Sequence, residues 1–298
     1  MYNRLRRVAE VPAFENPVLL YGLSGFLEAG AAVRIATEHI LESVESYPVA
    51  SFDIDMLFDY RGRRPRATFA SDHYASIDMP SLTISACRDE RGAGFFVLHG
   101  AEPDTGWQAV VSDIAHFIVD AGISLTVGMM AVPFPAPHTR PVAVTAHANR
   151  TDLLQGRHSW VGEMEVPASM AGFLEYHLGE RGLPAMGFAA HVPHYLAQHM
   201  HPASALALVR EAAIATGLML PTDRLREMAE RADIELNESL ANNTENLEGV
   251  QQLEEQFDAL VAERASDGTG QNPVDAETIA AQVEQFLAQM DTRGNPEA

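Results

Sequence analysis

Three observations predict an α/β protein with a mostly parallel sheet covered by helices on both faces, followed by a helical C-terminal extension. Through residues 1–220 short apolar runs alternate with stretches of helical spacing. Glycines such as Gly22, Gly25 and Gly122 close the runs. Beyond Pro221 the pattern changes to a four-three apolar spacing in an acidic background. The division is therefore an α/β core domain over residues 1–220 and an acidic helical extension over residues 221–298.

The elements follow in order. Residues 17–23 read as a strand, Gly22 and Gly25 as a turn, and residues 28–44 as a helix with Val33, Ala36, Ile40 and Val44 on one face. Residues 49–58 alternate around Phe52, Ile54, Met56 and Phe58 and read as extended, with further short strands at 68–70, 82–86 and 95–98. Thr105 is a candidate N-cap for a helix carrying Val110, Ile114, Phe117 and Ile118, which Gly122 ends. Strands at 123–127 and 142–146 flank residues 133–141, where four prolines in nine residues predict an irregular, stiff loop. A helix at 168–178, a strand at 185–190, and helices at 203–216 and from Thr222 onward complete the core and lead into the extension. There Leu236, Leu240, Leu247, Val250, Phe257 and Val261 form an apolar stripe that needs cover, from the chain's own core or from a partner. Residues 266–273 read as a break, and Asp275 as the cap of a last helix carrying Ile279, Val283, Phe286 and Met290.

Composition narrows the function classes. With 298 residues, 47% hydrophobic and 20% charged, the chain can bury a sizeable core. No apolar run reaches the roughly 18 residues a membrane span needs, and the arginines near the start precede no apolar segment. A cytoplasmic location without membrane contact is expected. The single cysteine, Cys87, lies in an apolar run and fits a reducing compartment. Residues 221–298 hold 18 Asp and Glu against 5 Arg, so −13 of the net charge of −21 sits in the extension. A chain this acidic is a poor match for nucleic acid, which is held by neutralising phosphates. All 20 basic residues are arginine, which removes Walker-type phosphate loops and Schiff-base chemistry.

Several groups of residues are candidates for chemistry. The turn from Gly22 through Ser24, Gly25 and Glu28 to Gly30 sits where α/β proteins place ligands, although its glycine spacing of three then five departs from the dinucleotide fingerprint. Phe26 stands where a nucleophile elbow needs glycine, and Glu28 would occupy the positive end of the helix dipole. An anion site and a tight structural turn compete for these residues. Arg61, Arg63, Arg64 and Arg66 form a basic turn, able to grip a carboxylate or phosphate or to pair internally with Asp53, Asp55 or Asp59. His191, His194, His199 and His201 lie close together, but Pro193 and Pro202 interrupt them and no cysteine or carboxylate is interleaved, so no metal is expected. Ser24, Glu102 and His138 lie at strand ends, where they would serve as a catalytic set if they met.

In sequence order, Gly25-Phe26-Leu27-Glu28-Ala29-Gly30, Asp59-Tyr60-Arg61 with Arg64-Pro65, Leu98-His99-Gly100-Ala101-Glu102-Pro103 with Trp107, Pro137-His138-Thr139-Arg140-Pro141 and Pro193-His194-Tyr195 resemble the proteasome assembly chaperone 2 family in its prokaryotic, actinobacterial form. The resemblance covers about residues 14–231. It implies a three-layer α/β/α sandwich similar to phosphorylase and hydrolase cores and homo-oligomers such as a trimer, with a protein client, and it does not imply catalysis; no cofactor is expected. Relatives that dock onto the proteasome end in a hydrophobic-Tyr-any tripeptide, whereas this sequence reads Asn295-Pro296-Glu297-Ala298 there, so that route is not expected. The function expected is thus a non-enzymatic assembly chaperone or scaffold. The alternatives are a phosphorylase-like or hydrolase-like enzyme, or a small-molecule binding module, built on the glycine turn with Gly25, Glu28, Gly30, Arg61, Arg64 and His194 as ligand-binding candidates.

Overall fold

The structure, a computed structural model, describes residues 4–157, 163, 165–240 and 244–267, without side chains at 244–246 and 260–267. An eight-stranded sheet has the order β1-β3-β6-β7-β2-β8-β10-β9. Its parallel centre comprises β7 (Gly94–Ala101), β2 (Val18–Ser24), β8 (Leu125–Phe134) and β10 (Ala185–Pro193). Antiparallel flanks are added by β6 (Leu82–Arg88), β3 (Glu45–Phe52) and β1 (Leu5–Arg7) on one side and β9 (Val144–Ala148) on the other. Five of the eight strands run the same way, and β4 (Arg66–Ala70) pairs with β5 (His73–Asp78) in a separate two-stranded sheet.

Helices cover both faces, so the architecture is the three-layer α/β/α sandwich. Side chains alternate across a strand, and β2 divides accordingly: Val18 and Leu20 face one core, Leu19 and Tyr21 the other. The first core is closed by α1 (Ala32–Ser43), α4 (Pro202–Thr216) and α5 (Asp223–Leu240), through Val33, Ala36, Ile40, Leu208, Leu225 and Ala229. The second is closed by α2 (Trp107–Asp120) and α3 (Met170–Glu180), through Val110, Ile114, Leu174 and Leu178.

Four local expectations need correction. The extended stretch at 49–58 ends at Phe52, where pairing with β1 stops, and a single 3-10 turn, Ile54–Met56, follows. Gly106, in the left-handed region, takes the N-cap of α2, while Thr105 donates its hydroxyl to the Met56 carbonyl (3.3 Å). The proline loop begins later than expected, because β8 runs through Pro133 to Phe134. Proline's missing N–H costs nothing there: β2 leaves β8 at Gly128, Ala131 N still donates to Leu27 O (3.0 Å), and Pro133, two residues on, turns its nitrogen to that same side, away from β10. Finally, α6 (Thr244–Asp267) includes the first two residues of the expected break; the rest of it and the expected helix from Asp275 lie outside the described residues.

Within the described part, the extension packs on its own chain. Leu225 and Ala229 of α5 are buried beneath α4, and Leu236 packs against the same core. Arg140, in the loop after β8, reaches α6 and pairs with Asp258 (2.6 Å) and Glu254 (3.3 Å).

Candidate functional site at the strand ends

The C-terminal ends of β2, β7, β8 and β10 converge on one edge of the sheet, the position where open α/β folds hold ligands. The glycine turn after β2 fills much of it with the chain's own bonds. Glu28 Oε1 accepts from the N–H of Arg34, in the first turn of α1 (3.2 Å), and the Ser24 hydroxyl and Gly25 N–H also donate to the Glu28 carboxylate. Burial raises the Glu28 pKa, against the opposing pull of Arg34 and of these donors. The carboxylate therefore occupies the positive end of α1 that an external anion would need. Gly30, with φ +66°, donates its N–H to Ala197 O and accepts from His201 N, both at 2.8 Å, which ties the turn to the segment before α4.

Glu102, just after β7, acts as a clip. Its Oε2 accepts from the N–H of Phe26 (2.9 Å) and its Oε1 from that of Met170 (2.6 Å), the first residue of α3. Ser169 caps the same helix, accepting from Gly172 N (3.0 Å). Both carboxylate oxygens are thereby spent on backbone donors from two layers of the fold.

His138 lies further along the edge. Its Nδ1 is 2.7 Å from the Tyr195 hydroxyl and its Nε2 is 3.3 Å from Asn237 Oδ1 on α5, so the extension closes over it. Ser24 and Glu102 are thus neighbours, Glu102 N donating to Ser24 O (2.8 Å), but their side chains have different partners, and the His138 ring is bonded to neither. Neither the cavity described below nor the smaller ones beside Trp107 and His201 is lined by any of them.

The histidine run separates as well. His191 is buried, stacked on Phe134 (4.1 Å between ring centroids) and bonded to Thr145 Oγ1 (2.9 Å). His194 and His199 are exposed. His201 is buried, with Nδ1 bonded to Ser204 (2.7 Å), and burial, reinforced by nearby His138, lowers its pKa to about 4. Among the described residues no three metal-ligating side chains gather.

The basic turn does not pair as expected. Arg63 bonds Asp104 (2.8 Å) and the Glu102 carbonyl and lies over the Phe58 ring, while Asp53 pairs with Arg6 and Asp55 accepts from the Tyr60 hydroxyl. The Asp59 carboxylate accepts from the N–H of Arg61 (2.9 Å), so its short side chain caps the turn it belongs to. Arg61, Arg64 and Arg66 are exposed and make no ion pair among the described residues.

One feature escaped the sequence reading. A cavity of about 1020 Å3 opens beside the glycine turn, between the sheet and α3, lined by Phe26, Leu27, Met130, Ala189, Phe173 and Tyr176 among others. At its wall, His147 Nδ1 of β9 bonds Glu175 Oε1 of α3 (3.0 Å); Oε2 is as near, at 2.9 Å, but poorly directed for a hydrogen bond. Gly187 lies opposite His147 in register, and a Cβ there would come within 2.3 Å of the imidazole. A glycine inside an otherwise apolar strand is the signal that could have pointed to this close approach.

Similarity to known proteins follows the same outline. A Mycobacterium tuberculosis protein of unknown function, Rv2714, is 35% identical, with 97% of each chain covered and a TM-score of 0.89. A protein of unknown function from Corynebacterium glutamicum is 32% identical over 87% of this chain and 98% of its own, with a TM-score of 0.83. The M. tuberculosis proteasome-assembly chaperone homologue Rv2125 is 26% identical over 78% of this chain and 99% of its own, with a TM-score of 0.71. No curated protein matches. The PAC2 family pattern matches residues 22–240, from the glycine turn to the end of α5, and on that match, which takes in most of its length, this chain belongs to the PAC2 family.

Proposed function

We propose that this chain is a non-enzymatic assembly or scaffold protein that works as a homo-oligomer, through its surfaces rather than through a reactive centre. The observation that carries this reading is the use made of the strand-end residues: Glu102 spends both oxygens on backbone donors, Glu28 caps α1, and His138 is closed over by Tyr195 and Asn237. Membership of the PAC2 family and the likeness to a proteasome-assembly chaperone homologue support a protein client, with proteasome-type complexes the first class to try. In this reading residues 1–220 are the body, residues 221–298 supply further contact surface, and the working compartment is the cytoplasm. Light scattering at micromolar concentration tests it. A mass several times that of the 32.4 kDa chain is expected. A monomer whose behaviour is unchanged by truncation at Thr222 overturns it.

A second reading is favoured by the cavity at Phe26 and Leu27, which adjoins the glycine turn. A largely apolar cleft with one hydrogen-bonded polar pair in its wall is the usual form of a small-molecule site. Mass spectrometry of molecules released on denaturing the purified chain tests it: one species recovered at about one per chain supports a binding module, and none removes it.

A further inference from the structure

The cavity between the sheet and α3 has a lining of one sign. Most of that lining is apolar: Met130 and Ala189 from the sheet, Leu27 from the glycine turn, and the rings of Phe26, Phe173 and Tyr176. Among the described residues that line it, the carboxylates are those of Glu163, Glu165 and Glu175, and no arginine reaches it although the chain carries 20. His147 is the one basic side chain in this lining, and it is already engaged with Glu175.

Glu175 decides the chemistry. Its side chain is 13% exposed, and His147 Nδ1 donates to Oε1 (3.0 Å), so Oε2 lies buried in the wall with no hydrogen-bond donor. The Tyr21 hydroxyl does not supply one, since it donates to the Ala171 carbonyl (3.3 Å). The Glu175 charge is nonetheless felt there: burial first, and that carboxylate second, raise the Tyr21 pKa. An acceptor buried without a donor is costly, and a carboxylate oxygen more so than a neutral one. A turn about χ3, a broad torsion in glutamate, brings Oε2 round to the cavity. At the rim, Glu163 and Glu165 are exposed and make no ion pair among the described residues, beside exposed Val166 and Tyr176.

We infer that the cavity takes a protonated primary amine carried on an apolar or aromatic body, with the ammonium group against Glu175 and the body along Phe26, Leu27 and Phe173. An anionic ligand would meet three carboxylates and no guanidinium. An inorganic cation would leave the apolar lining unmatched, and a quaternary ammonium has no N–H to give to Oε2. A primary ammonium has three donors, and the faces of Phe26 and Phe173 attract it as well. Glu163 and Glu165 draw it to the mouth. This rests on the small-molecule reading of the cavity given above and adds to it the chemical class of the ligand.

Isothermal titration calorimetry of the full chain at low salt tests the class with three probes of one shape: phenethylamine, its N,N,N-trimethyl analogue and phenethyl alcohol. The amine is expected to bind about tenfold or more tightly than either of the others. Glu175→Gln, which keeps the size and an acceptor for His147, is expected to weaken the amine about tenfold and to leave the alcohol unchanged. Gly172→Leu, at a position where an added Cβ meets only Ser169 Oγ at 3.5 Å, fills the cavity and abolishes binding of all three. If the alcohol or the trimethyl analogue matches the amine, or if Glu175→Gln leaves the amine's affinity unchanged, the amine class is overturned while the cavity remains a small-molecule site. If none of the three binds the unaltered chain, or if Gly172→Leu leaves binding unchanged, the small-molecule reading falls and takes the amine with it.

Discussion

The Glu102 carboxylate occupies the space that any side chain on Gly25 would need: a Cβ built on Gly25 would lie 2.6 Å from Glu102 Oε2 and 2.8 Å from its Cβ. The glycine turn and the carboxylate are fitted to each other, and through Met170 N the same carboxylate holds the start of α3. Glu102→Gln keeps the shape but points an amide N–H at a backbone N–H. A loss of about 1–3 kcal/mol in denaturant unfolding is expected, because one donor is left unpaired in a part-buried site. Gly25→Ala is expected to destabilise comparably through the clash. Unchanged midpoints in both variants would show that the clip does not hold the fold.

His201 supplies a pH dependence. Its pKa of about 4 in the folded chain lies below the ordinary histidine value of about 6.5. The unfolded chain therefore takes up the proton at higher pH than the folded one, and the stability is present in full above the ordinary value and lost as pH falls toward 4. Comparing unfolding midpoints of the parent and His201→Gln between pH 7 and pH 4 should show a smaller loss in the variant, by roughly 2–3 kcal/mol. Identical slopes would exclude His201 as the source.

Arg140 tethers α6 to the strand-end edge, beside Thr139, whose hydroxyl donates to Glu254. Its guanidinium holds the Asp258 carboxyl below the usual carboxylate range by a direct hydrogen bond, and also pairs with Glu254. Arg140→Ala should raise the rate of limited proteolysis within residues 244–267 by roughly two- to tenfold while the melting temperature of the body stays nearly constant. Equal cleavage rates would mean that α6 is held in some other way.

Cys87 is buried in β6, and burial pushes its thiol up to about 12. At neutral pH a thiol reagent should therefore modify it at the rate of global unfolding, rising with denaturant, and not at the rate of an accessible thiol. Rapid labelling of the native chain would contradict the packing of β6 described above.

Much of the body was legible because it is periodic and punctuated. Strand β2, with apolar residues to both faces and glycines at its end, and α1, with Val33, Ala36 and Ile40 in line, carry their structure locally. Strand β5 was missed because His73-Tyr74-Ala75-Ser76-Ile77-Asp78 is exposed along its whole length, so it lacks the alternation of a half-buried strand. Pro133 was misjudged because the rule against proline depends on which neighbours a strand has, and sequence does not say where β2 leaves β8. The roles of Glu102 and His147 were illegible for a similar reason. Glu102 holds backbone atoms 76 and 68 residues away, and Glu175 reaches His147 from another layer of the fold.

Native mass spectrometry of the full chain at micromolar concentration bears most directly on the claim that this PAC2-family protein works through surfaces rather than a reactive pocket. The account predicts a single dominant species at an integral multiple, two or more, of 32.4 kDa, with no small molecule retained. A 32.4 kDa monomer carrying one bound small molecule per chain would contradict it.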